Sequence, residues 1–200
     1  MRINWTALEA RIHRQLVSAV AEFARRHGRE RFYGFALTTR DDGLIRLSAN
    51  TPESFRAECR SRDRKIYGPA AGERRAGALD ELKWDTGAWL YCAFNCERGP
   101  LYDISWYGLQ LSFLESCQSL DNGQVVAAAD KFVALCFRVL IRTARDRLYD
   151  CLNRTKDFKL LGEDYNDPDG LRGSRRKMRR ALRENKAKDL ASNFALNVGD

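Results

Sequence analysis

The sequence lacks an apolar run long enough to cross a membrane, since none approaches the ~18 residues that a span needs. Its first residues, MRINWTALEARIHRQL, are charged and amphipathic and lack the continuous apolar core of a secretion signal. Aromatic residues make up 10% of the chain and are spread along it, which excludes wholesale disorder. These features predict that the 200 residues form one globular domain in the cytoplasm.

Patterns of catalytic residues are also missing. The chain has only two histidines, His13 and His27, which lie fourteen residues apart on one predicted helix and cannot share a small site. His27 precedes Gly28 and is expected to interact with the carbonyls at the end of that helix. No serine lies in a nucleophile elbow, and no cysteine has a base beside it in the sequence. We therefore expect no enzyme activity and no cofactor, although a catalytic pair assembled in space stays open.

Cysteine is present in six scattered copies: Cys59, Cys92, Cys96, Cys117, Cys136 and Cys151. Cys92 and Cys96 have the wrong spacing for a zinc knuckle, and no second pair accompanies them. Without a secretion signal, disulfides are disfavoured. The sequence predicts reduced thiols buried as small hydrophobic residues, and no structural metal.

Acidic residues cluster at 163–170, which invites comparison with a calcium loop. Counted from Asp164, however, Pro168 occupies position five and Gly170 position seven, so the EF-hand register fails. We favour an Asx-type turn that precedes a helix.

The stretch FYGFALTT-RDDG-LIRLSAN-TPESF, residues 32–55, is the clearest structural signal in the chain. Residues 32–39 are aromatic and β-branched, Asp42-Gly43 favours a tight hairpin turn, and an apolar run follows the turn. Thr51 offers an N-cap oxygen, and Pro52 suits the first helical position. The pattern predicts two strands with Phe35 in the core, then a short helix from 52 to about 62.

The spacing of apolar residues in the rest of the chain predicts further helices and strands. Together they indicate an α/β (α+β) fold, in which long N-terminal and central helices pack on a small, mostly antiparallel sheet. A capping box of Thr6 and Glu9 and a C-terminal stop at Gly28 bound the first helix. Residues 101–117 fit a helix or a strand equally well. The other predicted elements are helix 5–27, helix 125–153, strands 89–95 and 158–161, an exposed loop at 60–75 and a break at 98–100. Residues 1–170 form one domain, and 171–200 a basic helical extension.

Several motifs resemble the bacterial family catalogued as domain of unknown function 4303. The similar stretches are FYGFAL at 32–37, Asn50-Thr51-Pro52-Glu53 and LKWDTGAWLY at 82–91, within a match of roughly residues 5–164. Members of that family tend to sit among bacterial toxin and immunity genes. The resemblance therefore implies a role in neutralising or accompanying a toxin. The arginine-rich C-terminal segment departs from the family pattern.

That segment carries the whole net charge of +8. Residues 172–188 hold nine basic residues against one acid, Glu184, so the rest of the chain is neutral. Three interpretations remain open: a solvated helix balanced by the acidic turn, a surface that binds an acidic protein, or a contact with nucleic-acid phosphates. No stacking aromatics interleave with the arginines, which weakens the single-strand form of the third.

Trp84 and Trp89 with Tyr91 form an aromatic cluster that predicts either core packing, which we favour, or a recognition surface. We expect a cytoplasmic immunity protein, monomeric or weakly dimeric, that occludes a cognate toxin. The alternative is a nucleic-acid-binding protein acting through residues 172–188. The candidate partner-binding residues are Arg172, Arg175, Arg176, Arg179, Arg180, Arg183, Trp84 and Trp89.

Overall fold

The computed structural model describes residues 3–66, 82–96 and 103–196. Most of the predicted loop at 60–75 and the predicted break at 98–100 lie outside these ranges.

The first helix, α1, spans Trp5–His27, as predicted. It buries an apolar stripe with helical spacing: Ile12, Leu16, Val20 and Phe23. Its N-cap is Asn4, whose side-chain oxygen accepts a hydrogen bond from the Ala7 backbone N–H at 3.0 Å. The predicted capping box of Thr6 and Glu9 is therefore wrong, because the helix begins before Thr6 and asparagine caps as well as threonine does.

The hairpin is confirmed. Strand β1 spans Phe32–Thr39 and pairs antiparallel with β2, Ile45–Asn50. Gly43 lies in the turn with φ +82°, a conformation that glycine adopts without the steric cost of a side chain. Helix α2 follows at Pro52–Ile66, and the Thr51 hydroxyl accepts from the Ser54 N–H at 3.2 Å, so the predicted cap is present.

The sheet is mixed rather than mostly antiparallel. A third strand, β3 (Arg154–Asp164), pairs parallel with β1, which gives the order β2-β1-β3. Residues 89–95, predicted as a strand, instead run along the outer edge of β2 with one bridge, between Ala49 and Tyr91. The Asn95 side chain accepts from the Leu47 N–H at 2.7 Å and so satisfies a backbone donor of that edge.

From residue 103 to residue 196, the structure has three further α-helices: α3 (Ile104–Cys117), α4 (Asn122–Arg145) and α5 (Gly170–Glu184). The ambiguous segment 101–117 is thus helical over α3. The central helix is shorter than the predicted 125–153, because Arg147 adopts a left-handed conformation with φ 59° and a 3-10 turn, Leu148–Cys151, follows it. A helix cannot continue through a left-handed residue.

One hydrophobic core joins these elements. Helices α1 and α4 bury their apolar residues with Phe35 and Leu37 of the sheet. Helix α5 packs on β3 and α4 and adds Met178, Ala181 and Leu182 to the same core. The α/β fold is therefore confirmed, and α5 belongs to this single packed unit. Within the described part of the chain, no helix is long and apolar enough to span a membrane.

All six cysteines lie in described segments and are free thiols. Their burial differs from the prediction, because only Cys136 is fully buried, whereas Cys92 and Cys151 are exposed. Burial raises the pKa of the Cys136 thiol, which keeps it protonated and unreactive.

Candidate interaction surfaces

Trp84 and Trp89 are core residues, which corrects their assignment to a partner-binding surface. They are 5% and 3% exposed and pack with Tyr33, Ala36 and Leu161 in a small second cluster on the sheet. The Trp89 indole N–H donates to the Lys83 carbonyl at 3.0 Å. Core packing with a satisfied indole, the favoured interpretation of this cluster, is therefore confirmed for Trp89.

The polar residues of the same motifs tie the 82–91 segment to the sheet. The Thr86 hydroxyl and the Thr38 hydroxyl both donate to one Glu163 carboxylate oxygen at 2.8 Å. The Asn50 side-chain oxygen accepts from the N–H groups of Thr51 and Leu90. These bonds satisfy groups that the fold has taken out of water, so the motif residues serve the architecture.

Two of the candidate arginines hold the end of the described chain. Arg175 is buried, and its Nε donates to the Ala195 carbonyl at 3.1 Å. Arg179 is half-buried and donates through Nη2 to the Leu196 carbonyl at 2.7 Å. Because its side chain is covered, Arg175 is not part of a surface that a partner could contact. Its predicted binding role is replaced by a structural one.

The acidic turn binds the helix that follows it. Lys177 Nζ lies 2.5 Å from Asp164 Oδ2 and 2.9 Å from Asp167 Oδ2, and Arg176 pairs with Asp169. Burial lowers the pKa of Lys177, but its hydrogen bonds to the two carboxylates outweigh this and leave the pKa raised.

Asx turns are present in this segment, as predicted. Asp164 Oδ1 accepts from the Asn166 N–H at 3.1 Å, and Asp167 Oδ1 accepts from the Asp169 N–H at 2.9 Å. Burial raises the pKa of Asp167, yet the hydrogen bonds from Lys177 and the Asp169 N–H are stronger and the pKa is lowered. Among the described residues, no group of three or more His, Cys, Asp or Glu is placed to hold a metal ion.

Four arginines form what we call the basic face of α5: Arg172, Arg176, Arg180 and Arg183. Spacings of four, four and three residues place them on one side of the helix, opposite Met178 and Leu182. Arg180 forms an ion pair with Glu184 at 2.6 Å, and Arg176 forms one with Asp169. These four are the candidate arginines that remain exposed to solvent.

Helix α3 carries a second exposed surface, which the sequence did not predict. Ile104, Tyr107, Leu111 and Leu114 are 71%, 51%, 38% and 39% exposed, and their spacing of three, four and three residues aligns them on α3. We call them the apolar stripe. The opposite side of α3 buries Trp106, Leu109 and Phe113. A helix with one apolar face shows apolar residues at helical spacing, and this pattern identifies it in a sequence. Because α3 is apolar on both sides, its apolar residues fit the spacing of a helix and of a strand equally well.

The two surfaces are separated within the helical layer. Helix α3 packs against α1, α1 against α4, and α4 against α5. The apolar stripe and the basic face therefore lie on helices at the two ends of this series.

The family of the chain can be established independently of these surfaces. No curated protein and no solved structure matches it. A family model described as "Domain of unknown function (DUF4303)" matches residues 12–185, from the first buried residue of α1 to just past the end of α5. The arginine helix therefore lies inside the family match, which corrects the expectation that this segment departs from the family pattern. The match covers most of the 200 residues, and the chain belongs to the DUF4303 family.

Proposed function

We propose that this protein acts by binding another protein through the apolar stripe of α3, and that the partner is a cognate toxin, which it neutralises in the cytoplasm by covering the active cleft. The observation that carries the proposal is the stripe itself. The assignment of the partner as a toxin is supported by the family resemblance.

The stripe has the composition of an interface centre. The eleven residues from Ile104 to Leu114 include no charged side chain, although 31% of the whole sequence is charged. Depletion of charge and the presence of an aromatic residue such as Tyr107 are features of buried interface cores. Covering a Leu or Ile side chain contributes about 1.5–3 kcal/mol when burial is complete, so a partner gains from docking here.

The chemistry of the partner follows from charge. The protein carries a net charge of +8, and the basic face holds four arginines in solvent. An acidic protein would be attracted over a distance of about 10 Å at moderate salt and would associate faster. In this proposal the basic face steers the partner, and the stripe supplies contact area.

Nucleic-acid binding through the basic face is the second candidate. Arg172 and Arg183 favour it, because both are exposed and neither forms an ion pair with a described residue. Arginines aligned on one helix side match a row of phosphates. The apolar stripe has no role in that function.

The stripe is tested by charge insertion. The proposed toxin is taken as the product of the neighbouring gene. In Tyr107→Asp/Leu111→Asp, we expect loss of co-purification with that product, and loss of protection when the two are co-expressed. Leu90→Asp is the matched control, because Leu90 is 53% exposed but lies outside α3. Circular dichroism establishes that each variant is folded.

Unchanged toxin binding by a folded double variant would remove the stripe from the function. If the wild-type protein neither binds the toxin nor restores growth, the immunity function itself is wrong.

A further inference from the structure

A basic groove of about 690 Å³ lies where α4 ends and the chain enters β3. Four cationic residues line it: Arg145, Arg147, Arg154 and Lys156. The only acidic residue in its lining is Asp150. The groove therefore has three positive charges in excess, and it is built from other residues than the basic face of α5.

Two backbone irregularities meet at this groove. Arg147 adopts the left-handed conformation, with φ 59° and ψ 26°, which is costly for a residue that has a side chain. In the sheet, Phe32 pairs with Arg154 and Gly34 with Lys159, so four residues of β3 oppose one residue of β1. Bulges and strained residues concentrate at binding sites, where they direct side chains that regular structure would point elsewhere.

The cations are already positioned. The Asp150 carboxylate accepts from Arg147 Nε and from Arg154 Nη2, each at 2.7 Å. These hydrogen bonds lower the pKa of Asp150, so it stays ionised and holds both guanidinium groups. Arg145 Nη2 donates to the Asn185 carbonyl at 3.2 Å. Since a guanidinium has five N–H donors, these contacts leave donors for a ligand.

The groove also has an apolar wall. The Arg154 guanidinium lies 5.5 Å from the ring centre of Phe158, which lines the same groove. Lys156 is exposed at the bulge and forms no ion pair with a described residue. An ammonium group on a flexible stem can follow a ligand that the arginines have oriented.

We infer that this groove binds a phosphate-bearing small molecule of nucleotide size. A monocarboxylate would leave two of the three excess charges unmatched. A phosphate ester, with a charge of about −1.5 to −2, balances more than half of the excess, and a diphosphate carries enough charge to balance all of it. A single arginine guanidinium binds phosphate oxygens through two parallel hydrogen bonds. The volume is within the range of about 300–1,000 Å³ that small-molecule sites occupy.

Calorimetric titration with ATP, AMP and inorganic pyrophosphate tests the inference. We expect saturable binding of at least one of them, weakened at least about tenfold in Arg154→Ala/Lys156→Ala, since each charged hydrogen bond contributes strongly. The control is Arg14→Ala/Arg29→Ala, which removes the same charge from exposed positions on and just after α1. The control should bind as the wild type does.

A second variant separates binding from folding. Arg147→Gly removes a guanidinium from the groove and places glycine where φ is positive, so its melting temperature should be no lower than that of the wild type. Its affinity for the phosphate ligand should nevertheless fall. The inference is overturned if none of the three probes binds at ~5 mM, because this concentration is well above the dissociation constant expected of a specific site. Equal weakening in the control, or affinity that grows with the length of an RNA strand, also overturns it.

Discussion

Gly34 lies directly beneath Trp89. A Cβ atom built on Gly34 would be 3.0 Å from Cη2 of the Trp89 ring and 3.3 Å from Cζ3 of Trp84. The FYGFAL and LKWDTGAW motifs are therefore two halves of one contact, because the missing side chain in the strand makes room for the indoles. Neither motif explains the other until the chain is folded.

Replacing Gly34 by Ala should destabilise the protein by about 1–3 kcal/mol, since a buried ring must shift to admit the methyl group. Urea unfolding measures this loss. The control is Gly123→Ala at the exposed start of α4, where the nearest atom is Asp121 Oδ1 at 3.4 Å. A Gly34→Ala protein as stable as the wild type would show that the indoles are not packed on this strand.

Replacing Phe35 by Ala should cost about 3–5 kcal/mol, because its ring is fully buried at the centre of β1. It contacts Tyr149 with ring centres 5.1 Å apart, so the cavity would lie between the sheet and the turn after α4. Chemical denaturation gives the value. A loss below ~1 kcal/mol would place Phe35 outside the core and contradict the strand register.

Thiol titration should count six reactive cysteines in denaturant without reductant. In the native protein, the exposed Cys92 and Cys151 should react first, and Cys136 should be protected until the protein unfolds. A count below six in denaturant would contradict the reduced state of the cysteines.

The Asp167–Lys177 pair should make the free energy of unfolding depend on pH in the acidic range. The pKa of Asp167 is lowered in the folded state from its ordinary value of 3.8, so its contribution is present above that value and lost as the pH falls through the folded pKa. The stability difference between the wild type and Asp167→Asn should therefore shrink between pH ~5 and ~2. Asp169→Asn, at an exposed position, should change little. A difference that stays constant with pH would show that the Asp167 carboxylate gains nothing from Lys177.

Charge reversal on the basic face should separate protein from nucleic-acid partners. Arg172→Glu/Arg183→Glu leaves Arg175 and Arg179 in their structural contacts. It should slow association with an acidic partner, and the effect should diminish as salt screens the charges. Arg14→Glu/Arg29→Glu is the control of equal charge, and stopped-flow measurements give the rates.

Tight wild-type binding to generic duplex DNA or RNA that falls steeply between ~0.05 and ~0.2 M salt would assign the face to nucleic acid. Unchanged association in the double reversal would leave it a solvated helix surface.

Local rules predicted the local structure well. The bounds of α1 follow from helical spacing and the turn at Gly43 from one permissive glycine, and both signals act within a few residues. The parallel pairing of β1 with β3 was not predicted, because a contact between Thr38 and Glu163 leaves no pattern near either residue.

The candidate surfaces were harder to predict. Composition cannot distinguish a charged side chain that points into solvent from one that donates a hydrogen bond to a buried backbone carbonyl. Arg175 and Arg176 are adjacent, yet one is buried against Ala195 and the other is exposed. Only the direction of each side chain on a packed helix decides between them. The apolar stripe was missed for the related reason that exposure is a property of the assembled fold.

The pairing of β1 with β3 has a consequence for how the protein is made. Thr38 bonds to a residue 125 positions later. At about 5–20 residues per second, the ribosome needs on the order of ten seconds to supply that partner. Throughout this interval the central strand has one neighbour, β2, and an open edge on the other side. The nascent chain is therefore exposed to wrong strand pairing until β3 has been synthesised, and slower translation prolongs that exposure.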